Sequence, residues 1–147
     1  MRVLVVHRYY WPDTSPYATL LRSIVGRWQQ DGHQVEVLSA LPSYKSTVQT
    51  GLYPRKQVSD GVLVHRLALP RETESPLIRI FNAIRLGVSL IWKSVSKRFD
   101  VIMISTTPPI LGGVAAAFAS KVIGARFIFH CLDIHPDVGA ISGEFSN

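Results

Sequence analysis

Arg2-Val-Leu-Val-Val6 and Asp31-Gly-His-Gln-Val-Glu-Val-Leu38 enclose the stretch that decides the fold. Both end in short apolar runs rich in β-branched residues, the signature of strands buried on both faces. Between them, Arg8–Ser15 reads as a loop. Pro16 suits the first turn of a helix, with Ser15 as its cap. Leu20, Leu21, Ile24, Val25 and Trp28 recur at helical spacing, and Gly32 stops the helix as a C-terminal glycine does. Strand, loop, helix, Gly-His turn, strand is a βαβ crossover, which requires parallel strands.

The pattern repeats outward from this unit. Ala40–Lys56, with Pro42, Gly51 and Pro54, lacks periodicity and reads as a long loop. Asp60-Gly61 is a hairpin turn signal, and Val62–Leu67 is the third main strand. Glu72–Pro76 reads as a linker and Leu77–Phe99 as a long helix. Val101–Ile104 is a fourth strand, and Pro108–Ile123 is a helix. Its small residues, Gly112, Gly113 and Ala115–Ala117, allow close packing on a sheet. Arg126–Cys131 is the fifth strand, with Phe127–Phe129 read as fully buried. The prediction is an α/β fold: a single Rossmann-like domain over 1–147, with a doubly wound, mostly parallel sheet ordered 3-2-1-4-5.

The chain has 147 residues, 47% hydrophobic and 18% charged, which fits a globular domain with a real core. Cys131 is the single cysteine. It sits in an apolar strand and reads as a buried structural thiol, consistent with a reducing, cytoplasmic setting. No signal-peptide pattern and no apolar run of membrane-spanning length is present. The net charge of +6 suggests an anionic partner: nucleic acid, a phosphorylated substrate or a membrane surface. The cations are scattered rather than in one block, though Arg79, Arg85, Lys93, Lys97 and Arg98 gather on one segment; nucleic acid is not among the partners expected.

In such sheets ligands bind beyond the carboxyl ends of the strands. Three loops form that edge here: Arg8–Ser15, Ser105–Pro109 and Leu132–Val138. A dinucleotide-binding site needs glycines in the first of these. His7-Arg-Tyr-Tyr-Trp-Pro-Asp-Thr-Ser-Pro16 contains none, and there is no Walker sequence. The third loop follows Phe127-Ile-Phe-His-Cys-Leu-Asp-Ile-His-Pro-Asp137, where an apolar run ends in two histidines, two acids and a proline. Asp133 can accept hydroxyl donors or orient His130 or His135; a helix cap is the alternative. His130 can face the crevice and hydrogen-bond a ligand or be a satisfied core residue. His135 can stack on a ligand or deliver a proton. Tyr9, Tyr10 and Trp11 can form a stacking wall, with at least one of them in the core. Lys45, Arg55 and Lys56 can meet a phosphate or remain solvated.

His7–Asp13, then Ala18-Thr-Leu-Leu21, then Asp31–Leu38, together resemble the opening of the family 4 glycosyltransferases of GT-B fold. Pro108-Pro109 with Gly112-Gly113 resembles that family's fourth strand and helix. Phe127–Asp137 resembles its strand ending in Asp-Leu-Trp-Pro-Glu. His135 replaces Trp and Asp137 replaces Glu in that comparison, and Ser15-Pro16 stands where many members carry Gly-Gly. The resemblance implies one half of a GT-B enzyme. This would be the N-terminal, acceptor-side domain of a retaining glycosyltransferase that moves a sugar from a nucleotide-sugar to a hydroxyl in polysaccharide or lipid-linked saccharide synthesis. It implies catalytic roles for Asp133 and His130. It implies substrate contacts from Tyr10, Trp11, Asp13, Ser15, Thr107, His135 and Asp137. The donor nucleotide-sugar would sit mainly on a C-terminal domain absent from this chain, so no cofactor is expected here. The partners implied are a sugar or lipid-linked sugar acceptor and the chain's own C-terminal domain. A non-catalytic α/β module binding a nucleotide or a protein is the alternative.

Leu77–Phe99 carries apolar residues at 77, 81, 84, 88, 91, 95 and 99, close to a heptad stripe, which reads as a face laid on the sheet. Ile78, Ile80, Leu86, Leu90 and Trp92 lie outside it. The apolar arc is too wide for one buried face, and Arg79, Arg85, Lys93, Lys97 and Arg98 accompany it. Three readings stand: core alone, core plus an anionic membrane surface on the inner face of the membrane, or contact with another domain.

Overall fold

The computed structural model describes residues 1–42, 53–70, 75–106 and 109–132. Along the chain these form β1 (Arg2–Val6), α1 (Pro16–Gln30), β2 (Gln34–Ala40), β3 (Lys56–Ser59), β4 (Val62–Leu67), α2 (Pro76–Lys97), β5 (Val101–Ser105), α3 (Pro109–Ile123) and β6 (Arg126–His130). The sheet order is β3-β4-β2-β1-β5-β6. Every pairing is parallel except β3 with β4. The five parallel strands follow the 3-2-1-4-5 order expected from sequence. The sixth, β3, is the short partner strand that the Asp60-Gly61 turn folds back onto β4. Both turn residues have positive φ, 51° and 77°, as a two-residue hairpin turn of this twist requires.

Period-2 alternation divides the central strands between two cores. Val3 and Val5 face α1, together with Leu21, Val25, Val37 and Val64. Leu4 and Val6 face the opposite side with Leu86, Leu90, Ile102, Ile104, Ala116 and Ala119, under α2 and α3. Helix α1 begins at a Ser15 cap whose Oγ accepts from Ala18 N at 3.2 Å, with Pro16 in the first turn. Gly32, at φ 83°, ends it.

Three expectations are corrected. Phe127, Ile128 and Phe129 are 40–42% exposed, because β6 is an edge strand of the described sheet and has a neighbour only at β5. Cys131 lies past that strand's end and is exposed, not buried. The heptad stripe of the long helix is not its core face. Helix α2 buries Asn82, Ala83, Leu86, Gly87, Leu90 and Ser94, whereas Leu77, Phe81, Ile84, Val88 and Val95 are exposed. The packed face sets Leu86 and Leu90 among small residues. A Cβ added at Gly87 would stand 3.2 Å from that of Ala115 on α3, so a narrow helix surface is what fits there.

Candidate functional site at the carboxyl edge of the sheet

Strands β1, β5 and β6 deliver His7, Ser105 and His130 to one edge, and α1 begins at that same edge. A cavity of about 500 Å³ opens there, lined by His7, Tyr9, Ser15, Pro16, Tyr17, Leu20 and Leu132. His7 is buried, and its Nδ1 is hydrogen-bonded to Ser105 Oγ. Burial pushes its pKa down to about 4, since a charged imidazole would lose its hydration there. His7 is therefore neutral at physiological pH.

Tyr17 links this pair to His130. Its ring meets His7 edge-on at 4.6 Å, and its hydroxyl lies 2.8 Å from His130 Nδ1. The Tyr17 and His130 rings are also edge-on, at 5.4 Å. Burial raises the phenol pKa to about 12, opposed by a hydrogen bond from Ser105. The phenol therefore stays protonated, and its hydroxyl shares a hydrogen bond with His130 Nδ1. The result is a chain His7–Ser105–Tyr17–His130 that fixes the orientation of the His130 ring.

The other expected site residues are distributed differently. Ser15 lines the cavity, with its oxygen engaged in capping α1. Tyr10 is in the α1-side core, and Asp13 is fully buried. Trp11 packs against the same core; the Arg22 guanidinium stacks 4.2 Å over its ring, and its carbonyl accepts from Arg66 at 3.2 Å. Of the three aromatics expected to form a wall, Tyr9 lines the cavity. Thr107, Asp133, His135 and Asp137 lie outside the described residues, as does Lys45. Arg55 lies on a different groove, beside α2. Among the described residues no cluster of His, Cys, Asp or Glu is arranged to hold a metal.

His7, Tyr17 and Ser105 were not singled out in the sequence. A signal existed for two of them. His7 is the first residue after an apolar strand, and Ser105 opens a loop that belongs to the ligand edge. Tyr17 was masked by its place in an amphipathic helix.

A sequence profile places this edge and its strands in a known group: the glycosyl transferase 4-like domain matches residues 4–145. The chain belongs to that family. None of the curated proteins matches it in sequence. Among solved structures, sucrose-phosphate synthase from Thermosynechococcus elongatus superposes with a TM-score of 0.68 at 8% identity, over 99% of this chain and 35% of that one. The C-terminal domain of a hydrogenase from Pyrococcus furiosus superposes at 0.56 and 16% identity, over 88% of this chain and 89% of that domain. At such identities the likeness is one of fold, and two functionally different proteins on one fold illustrate why function must be argued from the site. This glycosyl transferase 4-like domain spans about a third of the length of the sucrose-phosphate synthase.

Proposed function

We propose that this domain is the acceptor-side half of a retaining glycosyltransferase. In this reading a nucleotide-sugar, held mainly by a second domain, gives its sugar to a hydroxyl of a saccharide or lipid-linked saccharide bound at the carboxyl edge. The observation that carries the reading is the cavity of about 500 Å³ walled by Tyr9 and backed by the His7–Ser105–Tyr17–His130 chain. An aromatic wall beside a few fixed polar groups is the usual chemistry of a sugar site.

The roles follow from the geometry. Tyr17 holds the His130 ring so that its outer nitrogen meets an oxygen or hydroxyl of the incoming sugar or acceptor. Ser105 and the uncharged His7 hold Tyr17. Fixed polar groups of this kind stabilise charge that develops during transfer without having to reorganise. For Asp133, Thr107, His135 and Asp137, which lie outside the described residues, the support is the family resemblance of the sequence, which implies substrate contacts from them.

The test is a saccharide titration of the isotopically labelled chain. A lipid-free acceptor saccharide is expected to shift the resonances of Tyr9, Tyr17, His130 and Leu132, and nucleotide-sugar with acceptor is expected to give no multiple turnover. Turnover by residues 1–147 alone, or saturable binding of a nucleotide at this edge with none of a saccharide, would overturn the assignment.

A further inference from the structure

The outer surface of α2 and α3 is as unusual as the edge. Helix α2 turns Leu77, Phe81, Ile84, Val88, Trp92 and Val95 outward, and Trp92 is 77% exposed. Steps of three and four residues place these six on a single stripe. Beside it, α3 exposes Val114, Phe118 and Val122 at the same spacing. The two helices pack against each other at Gly87 and Ala115, so the stripes lie side by side as one surface. A soluble monomer seldom exposes a contiguous apolar area of this extent.

Charge identifies the partner. Arg79, Arg85, Lys93 and Lys97 lie on α2 and Lys121 on α3, and neither helix contains an acid. Lys93 and Lys97 turn to the flank, where their Nζ atoms lie 2.7 and 2.9 Å from the Glu36 carboxylate. One carboxylate serves two lysines, so even this cluster keeps a positive excess. Arg79, Arg85 and Lys121 are exposed. A two-fold contact between copies would set these cations against themselves, and the core of a protein interface is depleted of charge. An apolar stripe bordered by cations with no acids is complementary to an anionic bilayer. The surface is already folded and held by its opposite face, so docking requires no ordering of the helices.

We infer that the joint outer face of α2 and α3 is a docking surface for an anionic lipid bilayer, with the apolar stripe entering the headgroup boundary and Arg79, Arg85 and Lys121 meeting lipid phosphates. The inference does not depend on the proposed glycosyl transfer.

Flotation of the purified chain with vesicles of phosphatidylcholine, alone or mixed with phosphatidylglycerol, tests it. The wild type is expected to float with the mixed vesicles at about 0.1 M salt and to be released at about 1 M, where screening is nearly complete. The emission attributable to Trp92 is expected to move to shorter wavelength on binding. Phe81→Ser with Trp92→Ser is expected to weaken binding at least about tenfold. Arg85→Gln with Lys121→Gln is expected to weaken it and flatten its salt dependence. Circular dichroism shows that each variant keeps its helices; because all four positions are exposed, the fold does not rely on them. The inference fails if the wild type stays in the soluble fraction with both vesicle types, or if the serine variant floats as well as the wild type. It fails equally if the chain sediments as a dimer that the serine variant converts to monomer, since a second copy is then the occupant.

Discussion

The carboxyl edge and the outer face of α2 and α3 invert each other's chemistry. At the edge, polar and ionisable groups are buried: His7 and Ser105 are almost inaccessible, and Tyr17 reaches from α1 to His130. On the outer face large apolar groups are exposed, from Leu77 to Val95 on α2 and from Ile110 to Val122 on α3. Neither arrangement is what folding alone favours. Burying an imidazole costs solvation unless it stays neutral and bonded, and exposing a row of Phe, Ile and Trp forgoes the burial that stabilises a core. The same sheet provides both. Parallel strands send their ends to one edge, and right-handed crossovers stack α2 and α3 on one face.

The largest effect expected separates the two sides of a single helix. Leu90 is fully buried and Trp92, two residues on, is 77% exposed. Leu90→Ala is expected to cost about 3 kcal/mol, the loss of a core side chain plus the cavity it leaves. Trp92→Ser is expected to change stability by no more than about 0.5 kcal/mol, although Trp is the larger residue. Urea denaturation of both variants checks this. Comparable losses would mean that the outer stripe is packed in solution and that the contrast between the two faces is false.

The buried histidine gives the next prediction. The His7 pKa falls from 6.5 to about 4 on folding, so the unfolded chain binds the proton more tightly. Stability is then fully present above about pH 6.5, declines as pH falls, and levels off below about 4. The loss over that window is about 3 kcal/mol. His65 is shifted in the same direction by burial, so the measurement is a difference. Wild type minus His7→Asn, in urea midpoints from pH 7 to pH 4, isolates the share of His7. Parallel curves for the two proteins would show that His7 is not desolvated at the edge.

On the flank of α2 the balance is electrostatic. Burial alone would raise the Glu36 pKa, but hydrogen bonds and charge from Lys93 and Lys97 pull it down to about 2. Glu36→Gln leaves two ammonium groups facing each other over the sheet. It is expected to cost about 2 kcal/mol at pH 7, below the full penalty for an orphaned buried charge because Lys97 is partly solvated. The difference between wild type and variant is expected to shrink as pH falls from about 4.5 to about 2, where the carboxylate of the wild type takes its proton.

How much of this was legible depended on distance along the chain. The βαβ order, the Ser15 cap, the Gly32 stop and the Asp60-Gly61 hairpin are set by neighbouring residues, and each stands where its local signal placed it. Which face of α2 is packed is not a local property. Two apolar faces compete on that helix, and the packed one places Leu86 and Leu90 in the core and Gly87 against Ala115, a partner in another helix. The exposure of Phe127–Phe129 likewise depends on β6 lying at an edge, which no pattern within the strand encodes. At the site, His130 stood out because polar residues follow an apolar run. Its partner Tyr17 lies 113 residues away and looks like an ordinary helix residue. Tyr9, Tyr10 and Trp11 were read together as a wall with at least one of them in the core; Tyr9 lines the cavity, whereas Tyr10 is in the core and Trp11 packs against it.

The smallest effect expected is the one that bears most directly on the edge. Tyr17→Phe keeps the ring that packs on His7 and removes one hydroxyl, so the stability loss is expected to be about 1 kcal/mol. The diagnostic readout is the tautomer of His130, followed by the nitrogen chemical shifts of its ring. In the wild type the Tyr17 hydroxyl lies 2.8 Å from Nδ1, a hydrogen bond that favours one tautomer of the ring. Without that hydroxyl, Nδ1 is released and the two tautomers are expected to mix. A purely structural role for Tyr17 would lower stability while leaving the His130 nitrogen shifts where they were. In an enzyme that carries both domains, the same substitution is expected to lower kcat about tenfold with little change in KM, because a misdirected imidazole weakens the transition state more than the bound substrate. A change confined to KM would move Tyr17 from orienting His130 to simply contacting the acceptor.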